Sequence, residues 1–497
     1  MNRRQIVLNA VTTSAQIACN AAILFFLYRF LVRAIGLSGL GIWSLVLATT
    51  SVVALANQGF STSIVKFVAK YAARDASADV SALVQTAELS LGIALAIVLL
   101  ALYPVAKWAL ALVLPHSSVA AAYAIFPYAV ASLWINVTGS VLQAGLAGHE
   151  LITECNYVDL GGSALYLFLS FAFVPRHGLL GLGYAQLAQA AVCFLALWIL
   201  LKRRVPLLPM LPRTWSRTLF REMAGYGAHF QLITVSQSIR EPVTKALLTK
   251  FGGLGMTGLY DLASRLVVTA RELLVQSNQV LIPTISSLQE RDPLVVPAVY
   301  EKSYRLIFYL GVPVFACVVI VSPLVSVIWL GRYEPIFMEF VALLAVGWLV
   351  NVLSNPAYVV DLATGALRWV AAGCVLTAIL NVVLGVVLGK ALGGTAVVAA
   401  SVSSLIAGYA IIIAAYHIEN RIPFRTLVPP QSASILAVSA SAIIFFVPLF
   451  AIEQASPLAS DRIAFGIPVA LLMIVASMWM HPMRRRVWNW VTSKAVA

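Results

Sequence analysis

The segment Tyr260–Gln279, YDLASRLVVTARELLVQSNQ, places several charges inside a run that is otherwise apolar enough to span a membrane. At about 100° per residue, five polar or charged side chains fall on one narrow stripe of an α-helix, and Arg271 borders it. The five are Asp261, Arg265, Glu272, Gln276 and Gln279. Charges at membrane depth are costly, so they normally face a watery cavity or a partner. The segment therefore predicts a helix that forms one wall of a route through the membrane.

The rest of the chain has the composition of a membrane protein. Of its 497 residues, 61% are hydrophobic and only 10% are charged, and the mean hydropathy is +0.93. Soluble proteins carry far more charge, so we predict an all-α polytopic membrane protein. At ~20 apolar residues per span, the chain accommodates about 14 transmembrane helices. Predicted helices 7 and 8 centre near residues 236 and 268, and predicted helix 14 centres near residue 471.

Lysine and arginine are concentrated in alternate connections, such as Lys202–Arg204 and the tail at Arg484–Arg486. This bias predicts a bacterial inner-membrane protein with both termini in the cytoplasm. Topology and attraction to anionic lipids account for most of the net charge of +14, so we expect membrane lipids and no nucleic acid as partners. The apolar stretch Ile6–Leu31 is too long for a signal-peptide core, and we expect it to be retained.

A weak internal repeat divides the chain. Gly36–Trp43, GLSGLGIW, aligns with Gly253–Tyr260, GLGMTGLY, and each copy joins one long predicted helix to the next. Duplication of this kind is typical of transporters that hold substrate between two halves. We predict domains at 1–205 (helices 1–6), 206–425 (helices 7–12 with a cytoplasmic linker, 206–221) and 426–497 (two further helices and a basic tail).

Several stretches occur in the order seen in one known family. They are Tyr28–Gly36 followed by Gly41–Ser44, then Asn57–Lys66, Glu222–Gly227, Gly258–Ala263, and Tyr304–Pro313 followed by Gly331–Tyr333. The chain resembles the polysaccharide transporters of the Wzx type, in the multidrug/oligosaccharidyl-lipid/polysaccharide (MOP) exporter superfamily. The resemblance implies two pseudo-symmetric six-helix lobes in a V, plus two trailing helices. It also implies a flippase that carries a polyprenyl-pyrophosphate-linked oligosaccharide from the cytoplasmic to the outer leaflet by alternating access.

Candidate substrate-binding residues follow from charge and helical spacing. Arginine clamps pyrophosphate through paired hydrogen bonds, and amides can bind sugar hydroxyls. The candidates are Arg240, Lys245, Arg265, Arg271, Gln276, Asn9, Gln16, Asn20 and Lys66. If transport is driven by protons or sodium, the available groups are Glu241, Asp261 and Glu272. The competing interpretation pairs Glu241 with Lys245, and Asp261 with Arg265, within their own helix.

Other polar residues are assigned structural roles. Glu88, Asp159 and Asp361 are expected near the cytoplasmic ends of their helices, where water can reach them. Asn351 and Asn355 are expected to form hydrogen bonds between helices. The spacing of cysteine and histidine indicates no metal site, and we expect no cofactor.

Alternative functions remain open. A cation-coupled multidrug exporter of the same superfamily is the second choice, although predicted helix 1 has no acidic residue. A non-catalytic membrane subunit of an envelope-polysaccharide assembly machine is the third, and polysaccharide polymerase or export machinery is a candidate partner. We do not expect an enzyme, because the chain has no room for a soluble catalytic domain and no acidic or histidine cluster at a membrane face.

Overall fold

The structure, a computed structural model, describes residues 3–51, 57–72, 74, 76–279, 285, 288–289, 291–292, 295–430 and 432–452. Over these residues the chain is helical, with one 3-10 turn at Phe424–Leu427 and no strand. The α-helices are α1 (Arg3–Ser51), α2 (Asn57–Ala72), α3 (Ser77–Val113), α4 (His116–Gly148), α5 (Ile152–His177), α6 (Leu179–Arg204), α7 (Arg217–Gln279), α8 (Val296–Leu330), α9 (Pro335–Thr364), α10 (Arg368–Leu392), α11 (Gly394–Glu419) and α12 (Ser432–Ile452).

The predicted all-α membrane fold is confirmed. Nine helical spans in the described residues are long and apolar enough to cross a membrane. Predicted helix 14, near residue 471, and the basic tail at Arg484–Arg486 lie outside the described residues. The chain is thus a multi-pass membrane protein.

Two compact units divide the chain, Met1–Gly258 and Leu259–Ala497. In the first unit, α4 packs against α1, α2, α3, α5 and α6, around a buried core that includes Val84, Val141 and Leu201. In the second unit, α8 packs on α9 and α12, and α11 packs on α9 and α10. The predicted domain boundaries at residues 205 and 425 stay predictions.

Small residues allow the closest helix pair of the second unit to form. A Cβ atom added to Gly373 on α10 would meet the carbonyl oxygen of Gly408 on α11 well inside the 3.0 Å limit of real Cβ contacts. Such close backbone approach is how helices associate in lipid, where no hydrophobic effect drives them together.

The repeated glycine segments adopt matching backbone kinks. Gly36 inside α1 has φ 70° and ψ 173°, and its counterpart Gly253 inside α7 has φ 82° and ψ 172°. This region of backbone space is open essentially to glycine alone. The agreement at aligned positions supports the internal repeat. It also shows that predicted helices 7 and 8 are joined at a single bent residue within α7.

The two copies of the repeat also contact each other reciprocally. A Cβ atom on Gly41 would collide with the carbonyl oxygen of Leu254, and one on Gly258 would collide with the carbonyl oxygen of Leu37. Gly41 aligns with Gly258, and Leu37 aligns with Leu254. The contact is therefore symmetric, and each copy supplies one glycine and one carbonyl to it.

The segment between α6 and α7, residues 205–216, is here called the linker. It is held against α3 by hydrogen bonds to its backbone. The backbone N–H groups of Arg213 and Thr214 donate to Gln85 Oε1 at 2.9 and 3.2 Å. The N–H of Ser216 donates to Thr86 Oγ1 at 3.2 Å. Because Ser216 directly precedes α7, these bonds also fix where α7 begins.

Replacing Gln85 by leucine is expected to make the linker about tenfold more sensitive to trypsin at Arg213. Two backbone hydrogen bonds are lost, each worth about 0.5–1.5 kcal/mol, and about 1.4 kcal/mol corresponds to tenfold in an opening equilibrium. The measurement is the rate of cleavage after Arg213, an exposed residue, in purified protein. Gln85→Glu, which keeps an oxygen acceptor, is the control. Equal cleavage rates in Gln85→Leu and the wild type would show that Gln85 does not hold the linker against α3.

Candidate functional site

The charged stripe of α7 is divided between buried and exposed positions. Asp261 is only 3% exposed, whereas Arg265, Glu272 and Gln276 are exposed. The side chain of Gln279 lies outside the described part of the structure. The residues that helical spacing assigns to one face therefore do not share one environment. Arg265 is the predicted pyrophosphate ligand that is most accessible from outside the protein.

Arg271 is held by two residues of α9. Its Nε–H donates to Asn351 Oδ1 at 2.6 Å, and its guanidinium carbon lies 4.8 Å from the ring centroid of Trp348. Asn351 is 5% exposed and makes the interhelical hydrogen bond predicted for it. A planar guanidinium fixed by stacking and one hydrogen bond is oriented before any ligand arrives. Arg271 is therefore suited to bind an anion in a defined geometry.

Two basic candidates before Gly253, Arg240 and Lys245, are covered by protein. Arg240 is 8% exposed and Lys245 is 3% exposed. Lys245 Nζ lies 2.8 Å from a carboxylate oxygen of Glu241, one helical turn earlier. This is the intrahelical pair of the competing interpretation. A ligand that uses Lys245, or a coupling role for Glu241, would first have to open this pair.

The remaining candidates fall in the first unit. Lys66 is exposed, with Nζ 5.8 Å from the ring centroid of Phe67. Gln16 and Asn20 on α1 line a cavity of about 320 Å³. The side chain of Asn9 lies outside the described residues.

That cavity is built mainly from polar side chains of four helices and is here called the Asp159 cavity. Besides the two α1 residues, its lining includes Asn136, Ser140, Gln143, Asp159, Ser163, Gln189, Cys193 and Phe194. Gln143 Nε2 donates to Asp159 Oδ2 at 3.2 Å, and Gln16 Nε2 donates to the same oxygen at 3.5 Å. Charged and polar groups inside a bundle of membrane-spanning helices are energetically costly, so this cavity is a candidate functional site.

Sequence reasoning missed this cavity because its members come from different helices. Short polar stripes on α4 and α5, such as Asn136, Ser140 and Gln143, are visible in the sequence, but nothing in the sequence shows that they face the α1 amides. Asp159, which was expected to be within reach of water, is half-buried and lines the cavity. The same expectation is wrong for Glu88 and Asp361, each 7% exposed. Glu88 lies three turns inside α3, away from the end of the helix.

The described residues contain no group of three or more His, Cys, Asp or Glu side chains able to hold a metal ion. The polar and charged side chains described above offer recognition by charge and hydrogen bonding. Arginines and a lysine lie along α7, and amides with one carboxylate lie in the Asp159 cavity. Anionic and hydroxylated groups are the ligands that suit these two sets.

Solved structures of transporters share this fold. A multidrug resistance MATE family transporter of the MOP superfamily, in an inward-facing conformation, matches with a TM-score of 0.70 and 15% identity, over 82% of this chain and 94% of its own. The lipid II flippase MurJ, in an inward closed conformation, matches with a TM-score of 0.70 and 12% identity, over 97% of this chain and 100% of its own. A MOP superfamily transporter from Pyrococcus furiosus, described as having a binding pocket of reverse polarity, matches with a TM-score of 0.62 and 15% identity, over 83% of this chain and 95% of its own.

At these identities the likeness establishes the fold, and the family follows from the sequence. No curated protein matches the sequence significantly. Residues 30–337, more than half of the chain, match the family model described as polysaccharide biosynthesis protein. The protein therefore belongs to the polysaccharide biosynthesis protein family and has the helical fold of the MOP-superfamily transporters.

Proposed function

We propose that the protein is a flippase for a polyprenyl-pyrophosphate-linked oligosaccharide. It moves this lipid from the cytoplasmic to the outer leaflet of a bacterial inner membrane by alternating access, for export of a cell-surface polysaccharide. Membership of a polysaccharide biosynthesis family and a fold shared with a lipid II flippase support this proposal.

The observation that carries the proposal is the pair of arginines in the part of α7 that follows Gly253. Arg265 is exposed, while Arg271 is oriented by Asn351 and Trp348. A pyrophosphate concentrates negative charge on several oxygens, and arginine binds such groups with paired, charge-assisted hydrogen bonds. Arg265 and Arg271 are thus the proposed pyrophosphate ligands, with Arg240 as a third.

The other candidates are given supporting roles. Gln276, Asn9, Gln16 and Asn20 are proposed to bind sugar hydroxyls. Lys66 is proposed to attract the phosphate headgroup at the cytoplasmic mouth, and Lys245 to contact the substrate once released from Glu241. Asp261, Glu272 and Glu241 are the proposed proton or sodium groups. Transport that is unchanged when both gradients are collapsed would remove the coupling role from all three.

Deleting the gene is expected to cause build-up of one complete lipid-linked oligosaccharide on the cytoplasmic side. Mass spectrometry of extracted lipids measures the build-up and identifies the glycan. Wild type is expected to restore normal levels, and Arg265→Ala is not, because it removes a pyrophosphate ligand. Arg332→Ala is the matched control, since Arg332 is an exposed arginine whose side chain is 70% accessible and pairs with Glu334 at 2.7 Å.

The second candidate, a cation-coupled drug exporter, is favoured by one specific observation. The first unit holds the Asp159 carboxylate in a polar cavity, and a carboxylate in the first lobe is what such exporters need. The deletion experiment separates the two functions. Absence of any lipid-linked build-up, in a host with no second flippase, would reject the flippase and leave the drug exporter.

A further inference from the structure

The Asp159 cavity carries a surplus of hydrogen-bond acceptors. The side-chain amides of Gln143 and Gln16 each donate a hydrogen bond to Asp159 Oδ2. The carbonyl oxygen of each amide is a further acceptor. The Ser163 hydroxyl donates to the backbone carbonyl of Asp159 at 3.0 Å. Asn20 Oδ1 is buried and has no hydrogen-bond partner in the described part of the chain. A ligand with several O–H or N–H donors would satisfy the acceptors that face the cavity.

The size of the cavity matches a small polyhydroxylated molecule. Its volume is about 320 Å³, at the lower end of the roughly 300–1,000 Å³ of small-molecule pockets. A bare monovalent cation needs no more room than a water molecule, about 30 Å³, and would leave most of this space unfilled. One sugar ring fits far better. Phe194 also lines the cavity and offers an aromatic face to the C–H groups of a pyranose.

The charge of the cavity selects among sugars. Asp159 is its one acidic residue, and none of the residues that line the cavity in the described chain is lysine or arginine. A second carboxylate brought beside Asp159 would be repelled in a site of low dielectric constant. Neutral hydroxyls and an ammonium group meet no such repulsion, and both can donate hydrogen bonds to Asp159.

We propose that the Asp159 cavity binds one neutral or amino sugar unit and excludes uronic acids. This proposal specifies the substrate of the proposed flippase. It rests on the flippase function only for the statement that the bound sugar is part of the transported glycan. Asp159 is the specificity-determining residue. Gln16 and Gln143 orient its carboxylate.

The test is saturation-transfer NMR on the purified full chain in detergent, with glucose, glucosamine and glucuronate as probes. Glucose and glucosamine are expected to give signals at least fivefold stronger than glucuronate. Asp159→Asn preserves the shape of the side chain but removes its charge. The variant is expected to bind glucuronate more strongly and to lose the preference for glucosamine over glucuronate. Asp361→Asn, which changes a buried carboxylate of the second unit, is the control and should keep the wild-type preference.

Three results would overturn the proposal: no signal from any of the three sugars, an unchanged preference in folded Asp159→Asn, or a sodium-23 NMR response that depends on Asp159 without sugar binding. These results can be distinguished from failure of the flippase proposal, because that proposal is tested by lipid build-up in the deletion strain. Lipid build-up without sugar binding rejects only the sugar site. Sugar binding without lipid build-up rejects only the flippase.

Discussion

Alanine at Gly258 is expected to destabilise the folded protein by about 2–3 kcal/mol, the upper part of the roughly 1–3 kcal/mol range for overpacking. The added Cβ atom would meet the backbone carbonyl of Leu37. A side chain in that position could rotate away, but a carbonyl oxygen moves only if its helix moves. The effect should appear as a lower unfolding temperature of the purified protein and weaker rescue of the deletion strain.

The chain offers a close control for this substitution. Gly255 lies in the same segment of α7, and a Cβ atom added there meets no described atom within 4 Å. Gly255→Ala should therefore unfold at the wild-type temperature or slightly above it, because alanine favours helix over glycine. Gly41→Ala should behave like Gly258→Ala, since its Cβ atom meets the Leu254 carbonyl in the same way. Equal unfolding temperatures for Gly258→Ala and Gly255→Ala would show that the backbone contact is absent.

Lysine at Arg271 is expected to lower stability by about 2 kcal/mol and to reduce transport at least tenfold, although the charge is kept. Lysine cannot supply the Nε–H that Asn351 accepts at 2.6 Å, nor a planar group to stack on Trp348. Hydrogen bonds to charged groups are worth about 1.5–3 kcal/mol. The stability change is measured by thermal unfolding, and transport by rescue of the deletion strain.

A double-mutant cycle separates the Arg271–Asn351 contact from charge in general. Arg271→Lys and Asn351→Ala break the same hydrogen bond, so their combined effect should fall short of the sum by about 1–2 kcal/mol. Arg265→Lys with Asn351→Ala is the matched cycle, in which another arginine of α7 is changed, and it should be additive. Additivity in both cycles would mean that Arg271 is not oriented by Asn351.

The sequence alone predicted the features that depend on local composition. Apolar runs of sufficient length predicted an all-helical membrane protein. Aligned glycines predicted a repeat, which the matching kinks at Gly36 and Gly253 support. Glycine positions predict such kinks because few other residues tolerate this backbone conformation.

Features that depend on contacts between distant segments were less accessible. A helical projection placed Arg271 at the border of the polar stripe, but gave no sign that it turns toward α9. The Asp159 cavity is lined by polar residues of four helices, and the spacing along one helix does not show which other helices it faces. Glu88 and Asp361 were assigned by their distance from predicted helix ends, and burial depends instead on what packs against them.

The hydrogen bonds between α3 and the linker have a consequence for how α7 can move. Gln85 and Thr86 fasten the chain up to Ser216, and at the other end of the linker Lys202 Nζ donates to the carbonyl oxygen of Leu208 at 2.6 Å. The connection between α6 and α7 therefore has almost no slack. A displacement of the first turn of α7 is therefore transmitted directly to α3.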